Sequence, residues 1–398
     1  MSIQFRPDER LVVAMSGGVD SSVVAFELAR RGHPLVGLFM RNGVKVAAEE
    51  VKKKSCCSLS DARDARMVAA SMGIPFQAVD LADEFQDIIE LFVTEYGRGR
   101  TPNPCAVCNR DLKMGRLIEL ADELGCAGVA TGHYARLALE DGRVRLRRGV
   151  DRRKDQSYQL FAVAEEHLAR TVLPLGALEK SEVRARAREA GLRTSDKKDS
   201  QEVCFIPSND YRRLLEERGA ELHPGNIVDT TGKVVGRHDG TEHFTIGQRR
   251  GHGVVTGVPM FVVELLPESG VVVVGTRDEC RAAAMDVDDL NWVGFDVPAS
   301  GSFRCVVQFR YHCVPAAATV EVSDGRASVL FDEPQFAVAP GQGAAFYEDD
   351  LLLGGGWIAK AHRVGGPSAG CDDRGPRVSR PDGAQTDLVV NDPGSREA

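Results

Sequence analysis

The chain has 398 residues, 43% hydrophobic and 27% charged, with a formal net charge of −8, the make-up of an ordinary soluble globular protein with room for two or three domains of roughly 100–200 residues each. The acidic balance excludes indiscriminate nucleic-acid binding but leaves room for a local basic surface, and ten cysteines are too sparse for a disulfide scaffold. The charged start is no signal-peptide core and no apolar run approaches membrane-spanning length, so a cytoplasmic location is expected.

In chain order, 11–15 reads as a buried strand, 16–19 as a tight turn, and 20 onward as a helix with Val24 and Leu28 on one face. A second strand over 35–40 completes a βαβ unit. In Ser16-Gly17-Gly18-Val19-Asp20-Ser21 the glycines remove side chains where a backbone must approach an anion. Their N–H groups and the positive helix end would face phosphate oxygens, with Ser21 and Ser22 in the first turn. The chain lacks G-x-x-x-x-G-K-[ST] and G-x-G-x-x-G, so neither a Walker A loop nor a dinucleotide fingerprint explains this turn. A plain turn needing two permissive glycines has no use for Asp20 beside two serines.

Next come a helix over 61–72 stopped by Gly73, a strand over 74–79 and a helix over 83–96. The stretch 97–109, with two glycines and two prolines, reads as irregular. Helix returns over 111–124, and a strand over 126–131 delivers Gly132 and His133 at its carboxyl end, the edge where open α/β sheets bind ligands. A basic amphipathic helix over 178–191 and a polar loop over 195–207 follow. This alternation predicts a doubly wound parallel α/β sheet for 1–206. A helix over 211–218 and strands over 226–229, 233–236, 260–266 and 271–274 make a small central domain, 207–275. Only strands follow over 276–362, a C-terminal β-barrel in which 302–314 alternates with Phe303, Cys305, Val307, Phe309 and Tyr311 on one face. The remaining 363–398, rich in Gly, Pro, Ser and Asp, reads as a disordered tail.

Basic clusters occur at Lys52-Lys53-Lys54, Arg147-Arg148, Arg152-Arg153-Lys154, Lys197-Lys198 and Arg249-Arg250, each by itself a solvated face. Cys105-Ala106-Val107-Cys108 permits a disulfide, a metal half-site or a low-pKa thiol pair. No second C-x-x-C completes a zinc ribbon, and Cys56-Cys57 are the other candidate ligands. Cys204 lies in the polar loop. Cys126, Cys280, Cys305 and Cys313 read as small buried hydrophobes, and Cys371 has no assigned role.

Ser-Gly-Gly-Val-Asp-Ser resembles the PP-loop of the N-type ATP pyrophosphatases. With it, in order, stand Gly-Arg-Thr-Pro-Asn-Pro-x-x-x-Cys-Asn, Ala-Thr-Gly-His-Tyr-Ala-Arg, Lys-Asp-Gln-Ser-Tyr, Asp-Ser-Gln-Glu-Val-Cys-Phe-Ile and Gly-Gln-Arg-Arg-Gly. That series, over roughly residues 9 to 362, is similar to the tRNA-specific 2-thiouridylases. The resemblance implies an enzyme that uses ATP with Mg2+, takes tRNA as substrate and receives sulfur from a cysteine desulfurase, a sulfur-relay carrier or inorganic sulfide, with no membrane partner. Adenylation of the C2 carbonyl oxygen of the wobble uridine would turn a poor leaving group into AMP, which a sulfur nucleophile displaces; pyrophosphate is the other product. Ala14, Met15, Ser16, Gly17, Gly18, Val19, Asp20 and Ser21 would hold ATP, with Met40 and Gly132 lining the adenylate pocket. Asn103, Pro104 and Cys105 would border the target base. His133, Lys154, Asp155, Gln156, Arg310, Tyr311 and Gln342 would touch tRNA. Cys204 would carry a persulfide and Cys108 would be the catalytic nucleophile that pairs with it in a disulfide as sulfur is released.

One departure stands out, because many family members have Asp where this chain has Cys105. Cys105, Cys108 and Cys204 then make a three-thiol set that suits an iron–sulfur cluster carrying sulfide, so persulfide relay and cluster-bound sulfide both stay open. Two other readings remain. One is a different PP-loop ligase or amidotransferase-type enzyme, which needs no paired loop cysteines; the other is a non-catalytic metal-binding RNA adaptor.

Overall fold

The computed structural model describes residues 5–43, 59–197, 203–206, 210–296 and 300–364. Lys52 to Lys54, Cys56, Cys57, Lys198, Cys371 and the expected tail lie outside those residues, apart from 363–364.

Among the described residues seven strands precede residue 175: β1 (Leu11–Ala14), β2 (Leu35–Arg41), β3 (Phe76–Asp80), β4 (Gly128–Ala130), β5 (Ala135–Glu140), β6 (Arg143–Arg148) and β7 (Thr171–Val172). Five form a parallel sheet in the order β3-β2-β1-β4-β7. The helices are α1 (Val19–Arg30), α2 (Leu59–Ser71), α3 (Ala82–Gly97), α4 (Pro104–Cys108), α5 (Leu117–Glu123), α6 (Glu165–Ala169), α7 (Lys180–Glu189) and α8 (Tyr211–Glu217). Alternation along the strands divides them between two cores. Val13 and Phe39 pack with Val23, Val24 and Leu28 of α1, Val68 of α2 and Val183 of α7. Val12, Leu38 and Val129 pack with Leu117, Ile118 and Ala121 of α5. Burying each such Val or Leu stabilises the fold by roughly 1.5–3 kcal/mol, and covering both faces is what a doubly wound sheet requires.

The stretch expected to be irregular, 97–109, is helical from Pro104. Asn103 is the N-cap, its side chain accepting from Ala106 N–H at 3.2 Å, and Pro104 occupies the first turn, where a missing N–H costs nothing. The helix then widens into a π-helix, Asn109–Arg116, before α5. Proline here starts a helix.

The central sheet contains β8 (Gly225–Asp229), β9 (Val234–His238), β10 (Phe261–Leu266) and β11 (Val271–Gly275), in the order β10-β11-β8-β9. The last six strands are β12 (Arg281–Trp292), β13 (Ser300–Gln308), β14 (Ala316–Ser323), β15 (Arg326–Phe336), β16 (Gly343–Glu348) and β17 (Leu351–Arg363). They run β12-β15-β14-β13-β16-β17, and β17 pairs back onto β12. The barrel is closed, which removes the sheet edges that would otherwise invite pairing with another chain.

Two expectations about the barrel change. The strand begun at Ser300 ends at Gln308, and His312 takes φ +62° in the turn that follows. Phe309 joins the barrel core while Tyr311 packs elsewhere, on the cluster that holds Tyr158. The hairpin β5–β6 also joins the barrel sheet, through Leu351 opposite Arg147 and Leu352 opposite Leu146.

Candidate active site

The turn between β1 and α1 is built for an anion. Gly17 has φ +71°, and a Cβ there would collide with the carbonyl oxygen of Asp61. Ser21 Oγ ties the loop together, accepting from Ser16 N–H at 3.1 Å and donating to Gly18 O at 3.3 Å. Among the described residues no side chain caps α1, so its first N–H groups stay available at the positive helix end. Gly132, after β4, lies against the same turn: a Cβ would sit 3.1 Å from Asp20 Cβ and 3.3 Å from Ser21 N. Asp20 is held by Lys180 Nζ at 2.7 and 2.8 Å and by the Tyr134 hydroxyl at 2.7 Å.

Beside Gly132, His133 is only 6% exposed. Its Nε2–H donates to Asn109 Oδ1 at 3.1 Å while Nδ1 accepts from Thr131 Oγ1 at 2.7 Å. Asn109 Nδ2 donates to Gln159 O at 2.9 Å. Burial, and secondarily the charge of Lys113, hold His133 well below the ordinary imidazole range, so the ring is neutral. The π-helix carrying Asn109 is thereby fixed to the carboxyl edge of the sheet, and mid-helix π turns often mark functional sites.

The three loop cysteines are thiols. Cys108 is buried and Cys204 half-buried, and both belong to the cluster built from α3, Phe205, Ile206 and Leu215. Phe205 fixes its segment by packing edge-on against Phe92, ring centres 5.4 Å apart. Cys105 is exposed and lies near Tyr311. Among the described residues no group of three or more His, Cys, Asp or Glu is arranged to hold a metal. Cys126 and Cys280 are buried, and Cys305 and Cys313 half-buried; burial pushes the Cys305 thiol up to about 12, which suits inert packing residues.

Comparison with known proteins agrees with this geometry. Family profiles described as tRNA methyl transferase HUP domain, tRNA methyl transferase PRC-barrel domain and aminomethyltransferase beta-barrel domain match residues 9–208, 212–276 and 282–358. The tRNA-specific 2-thiouridylase of Geotalea uraniireducens is 46% identical over 89% of this chain and 96% of its own. That of Geobacter metallireducens is 47% identical over 90% and 98%. The chain belongs to the tRNA-specific 2-thiouridylases.

Within that family frame, the residues expected at tRNA divide in two. Arg310 is exposed, as are Arg249 and Arg250, while Lys154, Gln156, Tyr311 and Gln342 are partly exposed. Asp155, by contrast, is 8% exposed and accepts from Arg148 at 2.9 Å, Gly149 N–H at 2.9 Å and Ser157 Oγ at 3.1 Å. Asp155 and His133 are thus interior groups and do not present themselves to a phosphate backbone. Arg148, expected on a solvated face, is 8% exposed and lies 3.6 Å over the Tyr347 ring. Gln342 Nε2 donates to the carbonyls of Thr101 and Pro102, both at 3.0 Å, which holds the loop before Asn103. Gln156 Oε1 accepts from Tyr134 N–H at 3.1 Å.

Sequence reasoning missed Tyr134, Lys180, Lys197 and Asn109 as site residues. Tyr134 and Asn109 lie inside motifs already singled out. Lys197 stood in the sequence only as half of a basic pair, and neither it nor Lys180 signalled its partners, which are 180 and 160 residues away.

Proposed function

We propose that this enzyme is an ATP-dependent tRNA uridine 2-sulfurtransferase that thiolates the wobble uridine and releases AMP and pyrophosphate. The observation that supports the reading is that Cys108 and Cys204 share one hydrophobic cluster, in a chain whose β1–α1 turn leaves its helix end uncapped among the described residues. ATP phosphates would take the N–H groups of 17–20, with Met40 and Gly132 against the adenylate. Mg2+ would arrive with ATP as part of the substrate complex. Asn103 and Pro104 would border the base, with Cys105 at the pocket's outer side. Arg310, Arg249, Arg250 and Lys154 would meet tRNA phosphates, and His133 and Asp155 would support that surface from beneath.

The uridine C2 oxygen attacks the α-phosphorus of ATP, and pyrophosphate leaves. The terminal sulfur of a persulfide on Cys204 then adds to C2 and AMP departs, leaving a carbon–sulfur–sulfur–Cys204 link. Cys108 thiolate attacks Cys204 Sγ, so the link breaks, the electron pair stays on the departing sulfur as the new thiocarbonyl, and a Cys108–Cys204 disulfide forms. A thiol reductant restores both cysteines, and a desulfurase or relay carrier reloads Cys204. These soluble partners imply a cytoplasmic setting; among the described residues, no helix is long and apolar enough to cross a membrane.

The test is tRNA thiolation with parallel measurement of AMP and pyrophosphate. Cys204→Ser and Cys108→Ser should each abolish thiolated product, and Cys105→Ser should retain most of it. A different PP-loop ligase would keep its activity in Cys204→Ser, and a non-catalytic adaptor would yield no tRNA-dependent AMP. Loss of thiolation together with bound iron in Cys105→Ser would replace the persulfide route with a cluster.

A further inference from the structure

The basic helix α7 and the segment after it have no part in the chemistry above, yet they converge on the nucleotide turn. Lys197 Nζ donates to Gly17 O at 2.8 Å, to Asp61 at 2.6 Å and to Asp64 at 2.7 Å. Its three N–H bonds are thereby all engaged. The backbone that carries Lys197 is itself pinned from α7, where Arg184 donates to Ser195 O at 2.8 Å and to Lys197 O at 3.1 Å. An ammonium held on its main chain by a guanidinium and at its tip by two carboxylates is pre-set before any ligand arrives.

What it fixes is a peptide plane. The Gly17–Gly18 peptide is trans, since the described chain has no cis bonds, and in a trans unit C=O and N–H point in opposite directions. Turning Gly17 O toward Lys197 therefore turns Gly18 N–H away from α2 and toward the open end of α1. Among the described residues, neither Gly17 N–H nor Gly18 N–H has a hydrogen-bond acceptor within the protein. With glycine on both sides, the plane would otherwise flip at little cost.

We infer that Lys197 is a positioning residue for the nucleotide: by binding Gly17 O it locks the Gly17–Gly18 peptide with its N–H aimed at the ATP phosphates. The inference rests on the reading of this turn as the ATP site, and it assigns the anion-binding geometry to a residue outside the turn itself. The lysine does not touch the phosphates, because its donors are spent on Gly17, Asp61 and Asp64. Its effect must therefore appear in nucleotide affinity and not in tRNA recognition or in the sulfur steps.

The experiment measures ATP binding by titration calorimetry, KM and kcat for AMP formation, and thermal midpoint on the full-length protein. Lys197→Met should weaken ATP by about tenfold or more, the scale of one charge-assisted hydrogen bond, mainly in KM, with tRNA affinity unchanged. Lys197→Arg should recover part of the loss. Asp64→Asn removes one ion pair of the same cluster without touching Gly17, so it should lower the thermal midpoint while leaving ATP affinity within about twofold of wild type. Equal ATP losses in Lys197→Met and Asp64→Asn would reduce Lys197 to a structural ion pair, and unchanged ATP affinity in Lys197→Met would overturn the proposal outright. If Lys197→Met does not fold, Lys197→Gln, neutral but with one donor of similar reach, is read the same way. Wild-type protein that binds no ATP would instead remove the reading of the turn, a distinct outcome.

Discussion

His133 shows how one side chain can hold a candidate site together from its interior. Its neutral ring passes a hydrogen bond from Thr131 to Asn109, so protonation would place a second donor against the Thr131 hydroxyl in a buried spot. Because burial lowers its folded pKa well below 6.5, the sign follows directly. The stability it contributes is present above the unfolded value and is lost as pH falls from about 6.5 toward the folded pKa. Thermal unfolding at about pH 7.5 and about pH 5.5 should therefore show a steeper acid loss in wild type than in His133→Gln. His223, whose pKa is raised by its bond to Glu242, pulls the other way, losing its contribution as pH rises, but it is common to both proteins and cancels in the comparison. Equal acid slopes would mean that the ring is protonated in the native state. Asp155 carries the same lesson: it stands in a motif that suggested tRNA contact, yet it holds Arg148 and the 149–157 turn together from inside. Motif strings mark which residues matter, and burial decides what they do.

At the scale of elements, the run from Asn103 to Arg116 was the least legible part of the catalytic half, because its start is set locally but its π turn rests on distant partners. Two prolines and two glycines suggested a loop because Pro breaks helix interiors, whereas Pro104 sits at the first helical position, where it is accommodated. The π-helix that follows leaves no sequence signature, since it depends on Asn109 reaching across to His133 and Gln159. By contrast, β1, β2 and the turn after β1 were readable because continuous apolar runs and a Gly-Gly pair are local signals. Cap and turn make separable predictions. Asn103→Ala removes the bond to Ala106 N–H and should cost about 1 kcal/mol in urea unfolding while leaving ATP binding intact. Gly17→Ala should eliminate ATP binding, because φ +71° and the collision with Asp61 both force the turn to move. A Gly17→Ala enzyme with normal ATP affinity would show that the turn is not the phosphate site.

Across the whole molecule, three consecutive stretches of chain do not make three independent bodies. The hairpin β5–β6, encoded within the catalytic half, is hydrogen-bonded to β17 of the barrel. Tyr158, Phe161 and Leu168 share one core with Val293, Tyr347 and Leu352. Further ties run from Thr101 N–H to Pro340 O and from Arg100 to Ile358 O, and Ala337 and Ala339 of the barrel segment complete the core of the central sheet. None of this was legible from sequence, because the strand that pairs with 146–147 lies some 200 residues later. The consequence is mechanical: the surface that carries Arg310 is fixed relative to the turn after β1 through packed side chains and not through a linker. Cooperative unfolding should then extend across the catalytic half and the barrel, and scanning calorimetry should give one transition with calorimetric and van't Hoff enthalpies in agreement. Leu352→Ala lies in a barrel strand but removes contacts from the shared core, at a cost of about 2–5 kcal/mol. It should move that whole transition to lower temperature. If it instead splits off an early barrel transition and leaves a later one at the wild-type midpoint, the two parts fold independently and the shared core does not couple them.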